Sequence, residues 1–205
     1  SHRKYFDLSY NPLMTKVKKC KNNFIGIKNY ISPIYFYKKR KYNKNDGIFV
    51  FLGNYAKNEI LKKIFTKENN FKKIKFLLPE IYRKKLKSFK INHNIHYFKV
   101  EEYYKCMQKS KFVILSAGMS VFDALYLKKN IICIPQYKHE IDNLYTNKIQ
   151  DKLILIKKNQ KDFNKKFTYS FNLMDKSQKN VKRKSLFNNK SMNLTLSTIS
   201  KLMYE

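Results

Sequence analysis

The chain has 205 residues, 43% of them hydrophobic, which is enough apolar material for a packed domain and excludes wholesale disorder. Lys and Arg number 45 against 14 Asp and Glu, a formal charge of +31, so polyanions are the first partners to weigh: nucleic acid, anionic lipid or phosphorylated substrates. No apolar run approaches the roughly 20 residues that span a bilayer.

Residues 1–45 read as an N-terminal arm or interdomain linker. The chain begins Ser1-His2 without a methionine, as a fragment or a chain with added leading residues would. Tyr5 to Pro12 is aromatic and turn-rich, Phe24 to Ile27 predicts a short strand, and Ile31 to Tyr37 is extended by virtue of Pro33. Lys38 to Asp46 is a charged, turn-prone link.

Residues 46–205 read as one domain with a helical tail, and from Gly47 they alternate with the period of a βα repeat. Ile48 to Leu52 is a continuous apolar run, as a strand buried on both faces requires, and it stops at Gly53-Asn54. Residues 56–66 place Ile60, Leu61, Ile64 and Phe65 at helical spacing. Lys73 to Leu78 is the next strand, closed by Pro79 and followed by a Lys-rich helix through Phe89. Asn94 to Val100 is the third strand, and Glu101 to Lys109 a helix with acidic residues where the helix dipole favours them. Lys111 to Ser116 is the fourth strand, Ser120 to Leu127 a helix, and Asn130 to Pro135 the fifth strand. Glu140 to Gln150 is a helix and Leu153 to Lys157 the sixth strand. The tail from Gln160 is polar and helical in pieces, with Leu194 to Met203 its clearest helix and 176–191 its most mobile stretch. The fold class is therefore α/β, a doubly wound, mostly parallel six-stranded sheet of Rossmann-like type.

Three glycines bear on function. Gly47 starts the first strand of that sheet, Gly53 ends it, and Gly118 follows the fourth. A turn at the amino end of a helix offers unpaired N–H groups and a positive dipole end, which is what a phosphate needs. Gly53-Asn54 and Gly118-Met119-Ser120 both fall at such points. Taken alone, a strand–Gly–helix turn is more often just a tight connection.

Other features narrow the field. Cys20, Cys106 and Cys133 are scattered, with neither pairing nor metal spacing, which suits a reducing cytosol. No signal peptide is visible. His93-x-x-His96 lacks a Cys or acidic partner at ligand spacing, so no metal site is expected; no cofactor is expected either. The basic residues are nearly all Lys, with Arg only at Arg3, Arg40, Arg83 and Arg183. Readers of nucleic acid lean on the planar Arg fork, so nucleic acid is not the expected partner here. Two readings of the surplus Lys stay open: drift in an A/T-rich coding sequence, and a basic surface for lipid or phosphate contact.

Ser116-Ala117-Gly118-Met119-Ser120-Val121-Phe122-Asp123-Ala124-Leu125, then Ile134-Pro135, then His139-Glu140-Ile141-Asp142-Asn143 resembles the carboxy-terminal, nucleotide-sugar-binding half of GT-B enzymes. The pattern is similar to that of the peptidoglycan GlcNAc-transferase, the spore-coat polysaccharide proteins and the UDP-sugar hydrolase of pseudaminic acid synthesis: S-x-G-x-[ST]-x-[YFW]-E-A-L, a strand ending in Pro, then H-Q-x-x-N. Gly26 to Tyr30 through Pro33 also resembles the hydrolase's segment entering this half, and the likeness covers roughly residues 24–155.

The resemblance implies a role for each matching position. Gly53 and Asn54 match the glycine-rich loop facing the domain cleft, with Asn54 standing where the family has a second glycine. Ser116 opens the turn in which the backbone of Gly118, Met119 and Ser120 holds the diphosphate. Val100 matches the apolar residue against the uracil. Asp123 matches the carboxylate, Glu in the family, that accepts from the ribose hydroxyls. His139, Glu140 and Asn143 match the polar turn near the sugar or diphosphate, with Glu140 replacing Gln and Lys138 beside it to offset the charge. Read from the residues alone, Asp123 and Asn143 are also compatible with polar positions on exposed helix faces, and His139 with a plain turn residue.

The resemblance implies a UDP-sugar partner and a catalytic residue on another, amino-terminal domain or partner subunit. It also implies a cytoplasmic location, with peripheral contact to an anionic inner membrane as an addition. The alternative is a non-catalytic basic module on the same fold, binding an anionic membrane, nucleic acid or a partner subunit.

Overall fold

The computed structural model describes residues 9–11, 23–25, 31–33, 47–65, 74–89, 94–176, 196–197 and 200. Two short strands, β1 (Ser9–Asn11) and β2 (Asn23–Ile25), pair in parallel. The turn-rich reading of Tyr5 to Pro12 is thereby corrected at its centre, where main-chain pairing with a distant segment overrides local turn propensity. The main sheet starts with β3 (Ile48–Phe51), followed by helix α1 (Asn58–Ile64) and β4 (Lys75–Pro79). A 3₁₀ turn (Glu80–Tyr82) leads into α2 (Arg83–Lys87), then β5 (Asn94–Phe98), a second 3₁₀ turn (Val100–Glu102) and α3 (Tyr103–Lys109). Next come β6 (Val113–Leu115), α4 (Met119–Tyr126), β7 (Ile131–Cys133), α5 (Lys138–Thr146), β8 (Ile154–Leu155) and α6 (Phe163–Lys176). The expected helix at Leu194 to Met203 falls mostly outside the described residues; 196, 197 and 200 are helical.

All six strands of the main sheet run parallel, in the order β5-β4-β3-β6-β7-β8. The continuous apolar runs follow from this arrangement. Ile48, Val50 and Leu52 pack on one face with Ile60, Leu61 and Ile64 of α1 and Phe163, Phe167 and Phe171 of α6. Phe49, Val113 and Leu115 pack on the other with Met107 of α3, Val121 and Phe122 of α4 and Leu144 of α5. With helices on both faces, neither alternate set of side chains meets water, so no polar alternation survives in the sequence.

Two lysines are bound into this frame. Lys129 is buried and its ammonium donates to the carbonyls of Gln108 and Ser110, closing the carboxyl end of α3 where the helix dipole favours a cation. Lys111 pairs with Asp175 at 2.7 Å and ties α6 to the amino end of β6. Gly47 has φ +111°, and a Cβ there would stand 2.5 Å from the Lys75 carbonyl oxygen, so β4 approaches this point closely because it lacks a side chain.

Candidate functional site

The strand order reverses direction between β3 and β6: β4 and β5 lie on one side of that pair, β7 and β8 on the other. The connections after β3 and β6 therefore diverge and leave a crevice at the carboxyl ends of the two strands, the place where open α/β sheets bind ligands. Gly53 closes β3 and Ser116 closes β6 at this point. The Ser116 N–H donates to the Phe51 carbonyl at 3.2 Å, so the ladder runs to the lip of the crevice.

Ser116 stands between two glycines. A Cβ on Gly53 would lie 4.0 Å from Ser116 Oγ, and one on Gly118 3.9 Å, with no other described atom as near. The glycines differ in kind. Gly53 has φ +82°, which a residue with a side chain adopts only under strain. Gly118 has φ −87° and ψ −162°, extended geometry open to any residue, so what it contributes is an empty space above the turn.

Gly118 is the N-cap of α4 and supplies no side-chain cap. The Val121 N–H bonds back to the Gly118 carbonyl at 3.1 Å. Among the described residues, the N–H groups of Gly118, Met119 and Ser120 meet no main-chain acceptor. Three donors thus crown a positive helix end beside a residue with no Cβ, an arrangement that accepts an oxyanion. Met119 is partly exposed and Ser120 is buried. The Ser120 side chain is hydrogen-bonded to Tyr103, whose phenol burial pushes well above its ordinary range.

The loop after β3 is braced at both ends. Tyr82, fully buried, accepts from the Leu52 N–H at 2.7 Å and donates to the Gly53 carbonyl at 2.8 Å. Gln136, buried directly after Pro135, donates through Nε2 to the Leu52 carbonyl and accepts from the Lys57 N–H at 2.7 Å. One amide side chain thereby fastens the start and the finish of the loop, while Asn54 and Tyr55 between them are exposed. Burial pushes the Tyr82 phenol up, against the opposing pull of the Leu52 N–H, so it remains the neutral donor that this bridge needs.

Glu140 is buried and turned to structural work. Its carboxylate accepts from the Gln136 N–H at 2.6 Å and the Tyr137 N–H at 3.4 Å, forming the capping box of α5. It thus holds Gln136, and through Gln136 the loop after β3. His139 is exposed and its ring stacks on Tyr137 at 5.6 Å and 11°. Asn143 is half-buried, and its carbonyl accepts from both nitrogens of Asn147. Val100 is 82% exposed, in the 3₁₀ turn after β5.

Asp123 corrects the reading of an exposed helix face: it is 4% exposed, and the Ser32 hydroxyl donates to its carboxylate at 2.7 Å. A segment from the amino-terminal arm covers it, and no local pattern could show that. The crevice therefore brings together Gly53, Ser116, Gly118, Met119 and Ser120. Asp123 and Glu140 are drawn into packing around it, Val100 and Asn54 are left on exposed turns, and His139 is exposed in the first turn of α5. Sequence reasoning missed Tyr82, Gln136 and Ser32. Gln136 had one signal, a polar residue directly after a strand-ending proline; Tyr82 had none among 16 tyrosines and 16 phenylalanines. Among the described residues, no group of three or more His, Cys, Asp or Glu is placed to hold a metal ion, and no helix is long and apolar enough to cross a membrane.

No protein-family model matches the chain, and no curated protein matches it in sequence. Solved structures do match. The spinosyn rhamnosyltransferase SpnG aligns at 12% identity with a TM-score of 0.57, over 95% of this chain and 52% of that one. The same enzyme complexed with spinosyn aglycone aligns at 13% identity and a TM-score of 0.53, over 78% and 42%. The UDP-GlcNAc 2-epimerase of Methanocaldococcus jannaschii, in complex with UDP-GlcNAc and UDP, aligns at 17% identity and a TM-score of 0.50, over 80% and 46%. The chain spans about half the length of the structures it matches. At these identities the likeness establishes the fold, a Rossmann-like α/β half, and leaves function to the site itself.

Proposed function

We propose that this chain is the UDP-sugar-binding half of a GT-B-type glycosyltransferase or nucleotide-sugar hydrolase, acting in surface polysaccharide or nonulosonate biosynthesis. The observation that carries the reading is the turn at Gly118. Its amides sit at the reversal of strand order, and the missing Cβ lets a diphosphate approach them closely. The structural likeness to a rhamnosyltransferase and to an epimerase crystallised with UDP supports the same ligand class.

The roles follow from position. Gly118, Met119 and Ser120 donate main-chain N–H groups to the diphosphate, and Gly53 and Asn54 line the opposite wall. Val100, exposed at the carboxyl end of β5, offers an apolar contact to the base. Asp123 meets the ribose only if Ser32 yields it; otherwise its work is to anchor the arm on α4. His139 and Asn143 lie at and inside the start of α5, where the sugar would be read. The group that performs the chemistry belongs to an amino-terminal domain or partner subunit, so residues 46–205 bind and orient.

Calorimetry with UDP tests this. Saturable binding at millimolar or better affinity is expected, lost in Gly118→Trp, whose indole fills the space above the amides without backbone strain. Binding that is absent, or indifferent to Gly118→Trp, overturns the reading. The formal charge of +31 favours a second reading, a general polyanion binder. Such a binder loses affinity for a random oligonucleotide steeply as salt rises, whereas a nucleotide-sugar pocket prefers one base and is far less salt-sensitive.

A further inference from the structure

Ser32 and Asp123 meet one helical turn from the amides at Gly118. Asp123 is the acidic residue of α4, three positions after Ser120, so the two side chains lie on one flank of the helix. Tyr103 joins them there: its phenol is hydrogen-bonded to Ser120 and feels the charge of Asp123. The carboxylate thus stands beside the candidate diphosphate position, one turn further along the same flank.

A hydroxyl fills this place. Ser32 is fully buried, and its Oγ donates to Asp123 Oδ1 at 2.7 Å across 91 positions of sequence. Ile31 before it is half-buried and Pro33 after it is exposed, so the chain dips to deliver this one side chain. Burying a carboxylate is costly, and an amide or an apolar pair would pin the arm without it. A nucleoside diphosphate whose phosphates rest on the Gly118 turn carries alcohols of the same kind on its ribose, a vicinal pair against the single Ser32 hydroxyl.

We propose that Ser32 is a built-in competitor: its hydroxyl occupies the position on Asp123 that the ribose diol of the nucleotide takes, and the arm must lift from α4 for the nucleotide to seat fully. The inference rests on the UDP-sugar reading and adds a regulation to the same site. Ser32 is tethered to its target, so it holds Asp123 at a high effective concentration against a free nucleotide. Two hydroxyls replacing one on the same carboxylate supply the differential contact that drives the exchange. The apparent affinity for nucleotide is lowered by the fraction of chains whose arm is in place.

The test is calorimetry on the full chain with UDP and with 2′,3′-dideoxy-UDP, which keeps the charge and the base and lacks the ribose hydroxyls. Ser32→Ala is expected to tighten UDP about tenfold and to leave dideoxy-UDP unchanged. Amide exchange on the parent chain gives a readout free of any substitution. UDP should accelerate exchange at Ile31 and Ser32, and dideoxy-UDP should not. If UDP binds the parent and Ser32→Ala alike, if both nucleotides gain equally, or if UDP fails to accelerate exchange at Ile31 and Ser32, the competitor is overturned while the UDP-sugar reading stands. If neither chain binds UDP, that reading falls and this inference falls with it.

Discussion

The Ser32 hydroxyl donates to the buried carboxylate of Asp123 at 2.7 Å, joining residues 91 positions apart. The bond pins a piece of the amino-terminal arm against α4, the helix whose first turn forms the candidate anion site. Hydrogen bonds to a buried charged group are worth more than neutral ones. Ser32→Ala is expected to lower stability by about 1.5–3 kcal/mol, read as a shift in the urea midpoint without a change in slope. A shift indistinguishable from zero would show that water replaces the hydroxyl freely and that the arm is not anchored there.

Three glycine-to-alanine changes should separate three roles. Gly47→Ala places a Cβ 2.5 Å from the Lys75 carbonyl in a left-handed backbone, and it should be the most destabilising. Gly53→Ala meets open space but keeps φ +82°, and should cost about 1–2 kcal/mol. Gly118→Ala has neither clash nor strain, and thermal melting should place it within about 0.5 kcal/mol of the parent. Any other order of the three melting temperatures contradicts this assignment.

Tyr82 and Gln136 hold the loop after β3 from opposite sides, so their removal should loosen that loop more than the sheet. Tyr82→Phe removes one hydroxyl and leaves the Leu52 N–H and the Gly53 carbonyl without it. Gln136→Leu strips the Leu52 carbonyl and the Lys57 N–H of their shared partner. Each should cost about 1–3 kcal/mol. Amide exchange should accelerate at residues 52–57 while the β6 amides stay protected. Uniform acceleration across both strands would make these residues general core elements instead.

Burial raises the ionisation of Tyr82, Tyr103 and Cys133 above their ordinary ranges; the charge of Asp123 adds to this at Tyr103, and that of Glu140 at Cys133. Each group keeps its proton in the folded chain at a pH where the unfolded chain has released it. The folded state then binds more protons, so stability falls as pH rises. The loss should begin near the unfolded values of 9.0 for Cys133 and 10.0 for the tyrosines. It should steepen by about 1.4 kcal/mol per pH unit for each group. Urea midpoints measured on either side of that range check it. Tyr82→Phe and Cys133→Ser should each flatten the slope, and a midpoint insensitive to alkaline pH would contradict the burial of all three.

Much of the frame was legible in the residues. Ile48 to Leu52 and Lys111 to Ser116 announced strands covered on both faces, because an unbroken apolar run of that length between glycine or polar turns has few other homes. Gly53 and Gly118 marked the lips of the crevice. The helix ending at Lys176 was blurred in the sequence because its apolar stripe of Phe163, Phe167, Phe171 and Met174 is diluted by lysine and asparagine. The GT-B resemblance assigns Glu140 to the polar turn near the sugar or diphosphate, where it stands in place of the family's Gln. In three dimensions its carboxylate reaches back to cap its own helix, a choice that depends on where the Gln136 N–H points.

The amino-acid sequence alone determined the βα alternation, the two-sided burial of the strands and the glycines at the turns, because periodicity and backbone dihedral needs act over a few neighbouring residues. Only the tertiary structure decided that β3 lies beside β6, that Gln136 reaches Leu52 across 84 positions, and that Ser32 covers Asp123. Strand order and long-range hydrogen bonds come from how the elements pack against one another, and no short stretch of chain carries that information.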